Sequence, residues 1–222
     1  MAKSMLGLNN VSSAKFGTTD IKMYLGTNLL YPLYKAKIKL STTNDYVYVP
    51  FDGSNTTLTR AEVETAVGDS VLTAITDVEL THAVITADSG CFTDAVNCTA
   101  LTLSNSLTTV GSGAFAGLNV EHLVVPDNVR TLDSGAFADS HSMRTAVLGS
   151  GITEVGNSIF GSSYNTNTVE SITFKSVVPP TPTASDEFLE YTDDCPIYVP
   201  SGSVQDYKTA WYKYASRIQA MP

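Results

Sequence analysis

The chain has 222 residues, 43% of them hydrophobic and 16% charged, which supplies a sizeable core for one medium domain or two small ones. Its net charge of −9 argues against nucleic-acid binding by the whole chain, and no uninterrupted apolar run is long enough to span a membrane. Three cysteines, Cys91, Cys98 and Cys195, form an odd set without metal-type spacing, which predicts buried free thiols rather than a disulfide framework.

Met1 to Asn10 has no apolar stretch and no cleavage site, so an ordinary signal peptide is not expected. Six of the thirteen basic residues (Lys3, Lys15, Lys22, Lys35, Lys37 and Lys39) fall in the first 39 positions, where Asp20 is the only acid. That stretch carries +5, and the remainder 7 − 21 = −14. A basic arm on an acidic body is expected to dock onto an acidic partner or a neighbouring copy; a solvated tail is the plain alternative. Within the arm, Ile21 to Pro32 alternates like a strand and is broken at Gly26 and Thr27. The pattern I-x-x-Y-L-G-x-x-x-x-Y-P resembles a short element at the N-termini of bacteriophage virion proteins, particularly of phages infecting gut Bacteroidetes. That resemblance implies an anchoring and oligomerisation arm over residues 1–34, with Ile21, Met23, Tyr24, Leu25, Leu29, Leu30 and Tyr31 as its contact residues. Its implied partners are other virion proteins and further copies of the chain, a trimer being the favoured count. Folding of this apolar set back onto its own body is the alternative.

Residues 35–75 read as a small β/α cap. Ala36 to Leu40 and Tyr46 to Val49 alternate around Ser41 to Asp45, a β-hairpin pattern. Thr59 to Glu62 has the spacing of a capping box, which starts a short helix ending near Gly68.

Residues 76–178 repeat. Val84 to Phe92, Leu107 to Phe115, Val129 to Phe137 and Ile152 to Phe160 align without gaps, their starts 23, 22 and 23 residues apart. Before each lies a short alternating run: Val78 to Leu80, Leu101 to Leu103, Leu123 to Val125 and Ala146 to Leu148. A fifth run, Ile172 to Phe174, follows a longer gap. Each unit reads as a strand, a turn and a compact bend closed by Phe, with the first and third strand residues inward. The Gly or Ser before each Phe permits tight turning, with positive φ at the glycines. One unit cannot bury its own apolar face, so about five stacked coils should share a spine of Phe92, Phe115, Phe137 and Phe160. The fold class expected is therefore mainly β: a short leucine-rich-repeat solenoid with an N-terminal β/α cap and a C-terminal capping helix.

The units at Leu107 to Phe115 and Val129 to Phe137, with the joint at Val125 to Val129, resemble the BspA-like leucine-rich repeat family. Its usual ending is also similar to residues 179–222: Cys195 to Pro200, Gly202 to Tyr207, then Trp211 to Ala220. The resemblance spans about residues 76–220 and implies a binding or scaffold protein. Gly161 to Thr168, long and rich in Asn and Ser, departs from it. In the C-terminal cap, Ser203 precedes a helix-start pattern, and Val204, Tyr207, Trp211, Ala215 and Ile218 recur at helical spacing. Trp211 is expected to seal the last coil.

No active site assembles. His82, His122 and His141 fall in different phases of the repeat and are expected on the surface. Ser140 and His141 adjoin without a third triad member. Gly111 to Gly113 lacks the ending of a phosphate loop and recurs as a repeat turn. Asp186, Glu187, Glu190, Asp193 and Asp194 do not have EF-hand spacing. No enzyme activity, cofactor or metal is expected. The outward strand positions Glu79, Thr102, Val124, Val147 and Thr173, flanked by His122 and Thr145, form the candidate partner face for a host-surface protein or glycan. The functional expectation is a virion structural protein (a head or tail fibre, or a capsid decoration protein). A bacterial surface adhesin and an intracellular scaffold are the alternatives.

Overall fold

A computed structural model describes residues 22–25, 28–32, 34–43, 45–161, 169–185, 187–190, 192 and 195–222. Strands β1 (Lys22–Leu25) and β2 (Asn28–Pro32) pair antiparallel in a sheet of their own. Of the predicted anchoring set, Ile21 lies outside the described residues. For Met23, Tyr24, Leu25, Leu29, Leu30 and Tyr31 only the strand backbone is described.

The body is a solenoid of about six turns. Each turn contributes one strand to a long-stranded face and one two-residue strand to the opposite face. The short strands are β5 (Thr57–Leu58), β7 (Thr86–Ala87), β9 (Thr109–Val110), β11 (Thr131–Leu132), β13 (Glu154–Val155) and β15 (Thr181–Pro182). They form one parallel six-stranded ladder. The extra turn beyond the five read from the sequence comes from β5: the cap already runs in the coil register, although its loop shares no repeat signature.

The longer strands make two sheets. Strands β3 (Tyr34–Leu40), β4 (Tyr46–Pro50), β6 (Ile75–Leu80) and β8 (Ala100–Thr102) run in the order β4-β3-β6-β8. Strands β10 (His122–Val125), β12 (Thr145–Leu148), β14 (Ser171–Phe174), β16 (Ile197–Val199) and β17 (Ile218–Ala220) follow in that order, all parallel. The break falls where the repeat is shortest. Phe115 precedes Leu123 by eight residues, whereas Phe92 precedes Leu101, and Phe137 precedes Ala146, by nine. With one residue missing from that joint, β10 does not continue the ladder of β8.

The interior is lined as the alternation requires, with Leu123, Ala146 and Ile172 inward and Val124, Val147 and Thr173 outward. Phe92, Phe115, Phe137 and Phe160 are buried and stack in succession, with centroids 5.7, 5.6 and 6.2 Å apart and planes within 11°, 11° and 27° of parallel. The bend before each ring needs a left-handed residue. Gly90, Gly113 and Gly135 hold φ of 62°, 60° and 65°, and Ser158 takes the same place in the fourth unit at 47°. A fifth aromatic, Phe188, continues the closure: the Ile159 N–H donates to its carbonyl at 3.0 Å, and its ring lies 4.6 Å from Trp211.

The caps follow their sequence signals with three corrections. Helix α1 (Arg60–Val67) has both halves of the Thr59/Glu62 capping box and ends at Gly68. However, Lys35 does not belong to a basic arm. It is 1% exposed on β3, and its Nζ lies 2.6 Å from both Glu62 Oε1 and the Thr57 carbonyl. Lys37 and Lys39 stand on the same strand opposite Glu79 and Asp77, and Tyr34, also inside β3, is buried. Residues 1–33 therefore carry three lysines against one aspartate, or +2.

At the other end, α2 (Val204–Ala210) is shorter than the apolar spacing suggested, because Ile218 lies on β17. Ser203 does not cap it; its hydroxyl donates instead to the Val177 carbonyl at 2.7 Å. Tyr207 and Trp211 are buried as the cap's plug. The Tyr207 hydroxyl donates to the Ser176 carbonyl at 2.8 Å, and Trp211 Nε1 donates to that of Pro180 at 3.0 Å. Three cap side chains thus satisfy carbonyls of the irregular loop between β14 and β15, in which Ser176 and Pro180 are buried and Val177 and Val178 exposed.

Candidate functional site

The outward positions of the five-stranded sheet form two registered rows. One runs His122, Thr145, Ser171; the other runs Val124, Val147, Thr173, Tyr198, Gln219. Of the predicted partner face, the sheet brings together His122, Val124, Thr145, Val147 and Thr173. Val124, on the edge strand β10, is 61% exposed. His122 Nδ1 lies 3.0 Å from Thr145 Oγ1, which fixes the imidazole against its neighbour.

Glu79 and Thr102 pair with each other on the other sheet, across the break. Their surroundings differ in charge, since Lys37 stands opposite Glu79 and its ammonium lies 4.4 Å from the Tyr46 ring centroid. The predicted face is therefore two surfaces, one bearing the Lys37 and Glu79 charges and one without a lysine, arginine or carboxylate in its rows. Tyr198 and Gln219 belong to the second and escaped the sequence reading, because β16 and β17 lie outside the repeat that marked the other strands.

Beside the break, at the N-terminal ends of β8, β10, β12 and β14, a cleft of about 690 Å³ opens among Thr99, Asn119, Glu121, His141, Ser142, Arg144 and Glu170. Each of Glu121, Arg144 and Glu170 immediately precedes its strand, so the coil register stacks them in a row. Arg144 Nε lies 3.0 Å from Glu121, and its Nη1 bonds Glu170. Asn119 is held by its Nδ2 donating to the Val96 carbonyl at 2.8 Å, while its Oδ1 accepts from Ser142 at 3.2 Å. The Asn119 N–H donates to the Cys98 carbonyl at 2.8 Å. Composition could not signal this cleft: its residues are ordinary surface types until stacking aligns them.

Nothing in this arrangement is set up for covalent chemistry. His82, His122 and His141 are exposed and dispersed, and Ser140 Oγ is buried without a hydrogen-bond partner. Among the described residues no group of three His, Cys, Asp or Glu side chains could hold a metal ion. Of the acidic cluster, Asp186, Asp193 and Asp194 lie outside the described residues. The three cysteines are free and buried; burial pushes the Cys91 and Cys98 thiols up to about 12, far from a nucleophile's range. No helix among the described residues is long and apolar enough to cross a membrane.

Parallel short and long ladders, a buried phenylalanine spine and sealed ends define a leucine-rich-repeat solenoid. Residues 71–180 match the model of the BspA type leucine rich repeat region in six copies, which supports the BspA-like family for the repeat region. The match does not reach the N-terminal arm and takes in only the first two residues of the C-terminal cap. No curated protein matches the chain. A solenoid of this class is typically a binding or adhesion domain rather than an enzyme, because its stacked coils present long surfaces and seldom converge polar groups.

Proposed function

We propose that the protein is a non-enzymatic display module of a bacteriophage particle, a head or tail fibre or a capsid decoration protein. Its N-terminal arm anchors it to other virion proteins and to further copies of itself. Its five-stranded face is turned outward for attachment to a host surface. The observation that carries this reading is the separate β1–β2 sheet, which among the described residues shares no strand ladder with the body. An isolated two-stranded hairpin is marginal in water, and this one carries the virion-like I-x-x-Y-L-G pattern, so a partner is the natural source of its stability. Sedimentation of the full chain beside one lacking residues 2–32 tests the anchoring role. The full chain should assemble and the shortened chain should be a folded monomer. A monomeric full chain, or a shortened chain that still assembles, removes the basis for the arm. Antibody labelling of purified particles then tests the location.

The family match favours a second reading, a bacterial surface adhesin with the same outward face. It predicts labelling of bacterial cells that carry no phage.

A further inference from the structure

The polar cleft at the sheet break lies beside the outward rows, and its chemistry is narrower than theirs. We infer that it is a saccharide-binding subsite for a neutral, hydroxyl-rich ligand, gripped by Glu121, Arg144 and Glu170 with Asn119 and Ser142. The inference deepens the adhesion reading and rests on it.

Elimination by chemistry leads there. The volume, about 690 Å³, falls in the range of small-ligand sites. Yet no aliphatic or aromatic side chain apart from the His141 imidazole lines it, so an apolar ligand would gain little. An anion would approach two carboxylates whose one guanidinium is already shared between them. A cationic side chain would have to enter beside that same guanidinium, against like charge at short range. A metal lacks a ligand set among the described residues.

A polyol meets none of these obstacles. Its hydroxyls donate to the carboxylates of Glu121 and Glu170 and accept from Arg144 between them. Coil stacking spaces these groups at about 4.8 Å per strand, comparable to the reach across a pyranose ring. The three side chains of the row are 53–59% exposed, so the ligand can reach them. Their mutual ion pairs, and the two hydrogen bonds on Asn119, hold the array in place before binding, which lowers the ordering cost.

The test uses the full chain on an array of neutral oligosaccharides, sialylated and sulfated glycans and a polylysine peptide. Titrations with the retained glycan then compare wild type with Arg144→Ala, Glu170→Gln and, as a control on the exposed side of the C-terminal cap, Lys213→Ala. Circular dichroism confirms that each variant is folded. Retention of neutral glycans, weakened about tenfold or more by each cleft variant and unchanged by Lys213→Ala, is the expected result. The inference is overturned if wild type retains no neutral glycan, prefers the anionic glycans or polylysine, or binds equally well when the cleft is altered. Host-surface attachment that is lost in Val124→Lys but kept in both cleft variants would leave the adhesion reading standing and this one refuted.

Discussion

The phenylalanine spine makes a quantitative claim about coupling. Phe115 is fully buried between Phe92 and Phe137 at 5.7 and 5.6 Å. Truncation to Ala would remove about 3–5 kcal/mol, too much of a total of about 5–15 kcal/mol for clean measurement, so Leu is the better probe. Phe115→Leu and Phe137→Leu each lose ring contacts while keeping most of the volume, at about 1–2 kcal/mol apiece. Because their rings touch, the double variant should depart from additivity by about 0.5–1.5 kcal/mol. Phe92 and Phe160 are separated by those two rings, so Phe92→Leu with Phe160→Leu should add within about 0.5 kcal/mol. Urea unfolding followed by far-ultraviolet dichroism and by Trp211 fluorescence measures both cycles. It also shows whether the C-terminal cap melts with the coils, which a single-transition analysis requires. Additive behaviour at Phe115 and Phe137, or equal coupling in the separated pair, would refute a continuous stacked spine.

Ser158→Gly should raise stability by about 0.5–1 kcal/mol in thermal melts. It relieves a left-handed serine at φ 47° and loses only a long bond to Glu190; an unchanged or lower midpoint would contradict the strain. Glu62→Gln should cost about 2 kcal/mol at neutral pH, since it leaves the buried Lys35 ammonium without its counter-charge. Burial pushes the Glu62 carboxyl up, but hydrogen bonds from Lys35 and Thr59 and the Lys35 charge outweigh it, so its pKa lies below the usual 4.5. Its contribution is thus full above pH 4.5 and is lost as pH falls through the depressed folded value. The variant should therefore flatten that part of the acid limb in denaturation curves. Tyr207→Phe should cost about 1–3 kcal/mol, by stranding the Ser176 groups it bonds at 2.6 and 2.8 Å; a neutral result in urea titrations would mean the loop re-pairs. Cys91 and Cys98 should resist iodoacetamide at pH 8 in the native protein and react in denaturant, as mass spectrometry would show.

Inward-facing features could be read from the sequence because stacking imposes a period on them. A phenylalanine that must meet its equivalent one coil away has to recur at nearly constant spacing, so Phe92, Phe115, Phe137 and Phe160 announce themselves. Phe188 does not. It follows Pro182 by six residues, whereas Phe160 follows its ladder partner Val155 by five, and no glycine marks its bend. Lys35 misled for a different reason. Charge counting treats a lysine as surface, but a single carboxylate and one carbonyl suffice to bury it. Ser203 had the right residue at the right place, yet the carbonyl of Val177 competed successfully for its hydroxyl.

The outward surface obeys no such period, and there the break in the repeat matters most. Removing one residue between Phe115 and Leu123 leaves the spine untouched, since Phe115 still stacks on both neighbours within 11° of parallel. The slack is taken up on the long-stranded face, where β10 parts from β8 and the cleft opens between Thr99 and Glu121. A joint one residue shorter thus coincides with a polar cleft beside an unbroken spine, although Leu118 and Val120 within that joint are themselves core residues. Reinserting a residue between Phe115 and Asn119 is the converse change. It should rejoin the two sheets and close the cleft, and because Leu118 and Val120 in the same joint are 1% and 5% exposed, their displacement should lower stability by about 1–3 kcal/mol. A thermal midpoint equal to wild type would show that those two side chains keep their places, and two sheets that stay apart after the insertion would show that the length of the joint does not set the break.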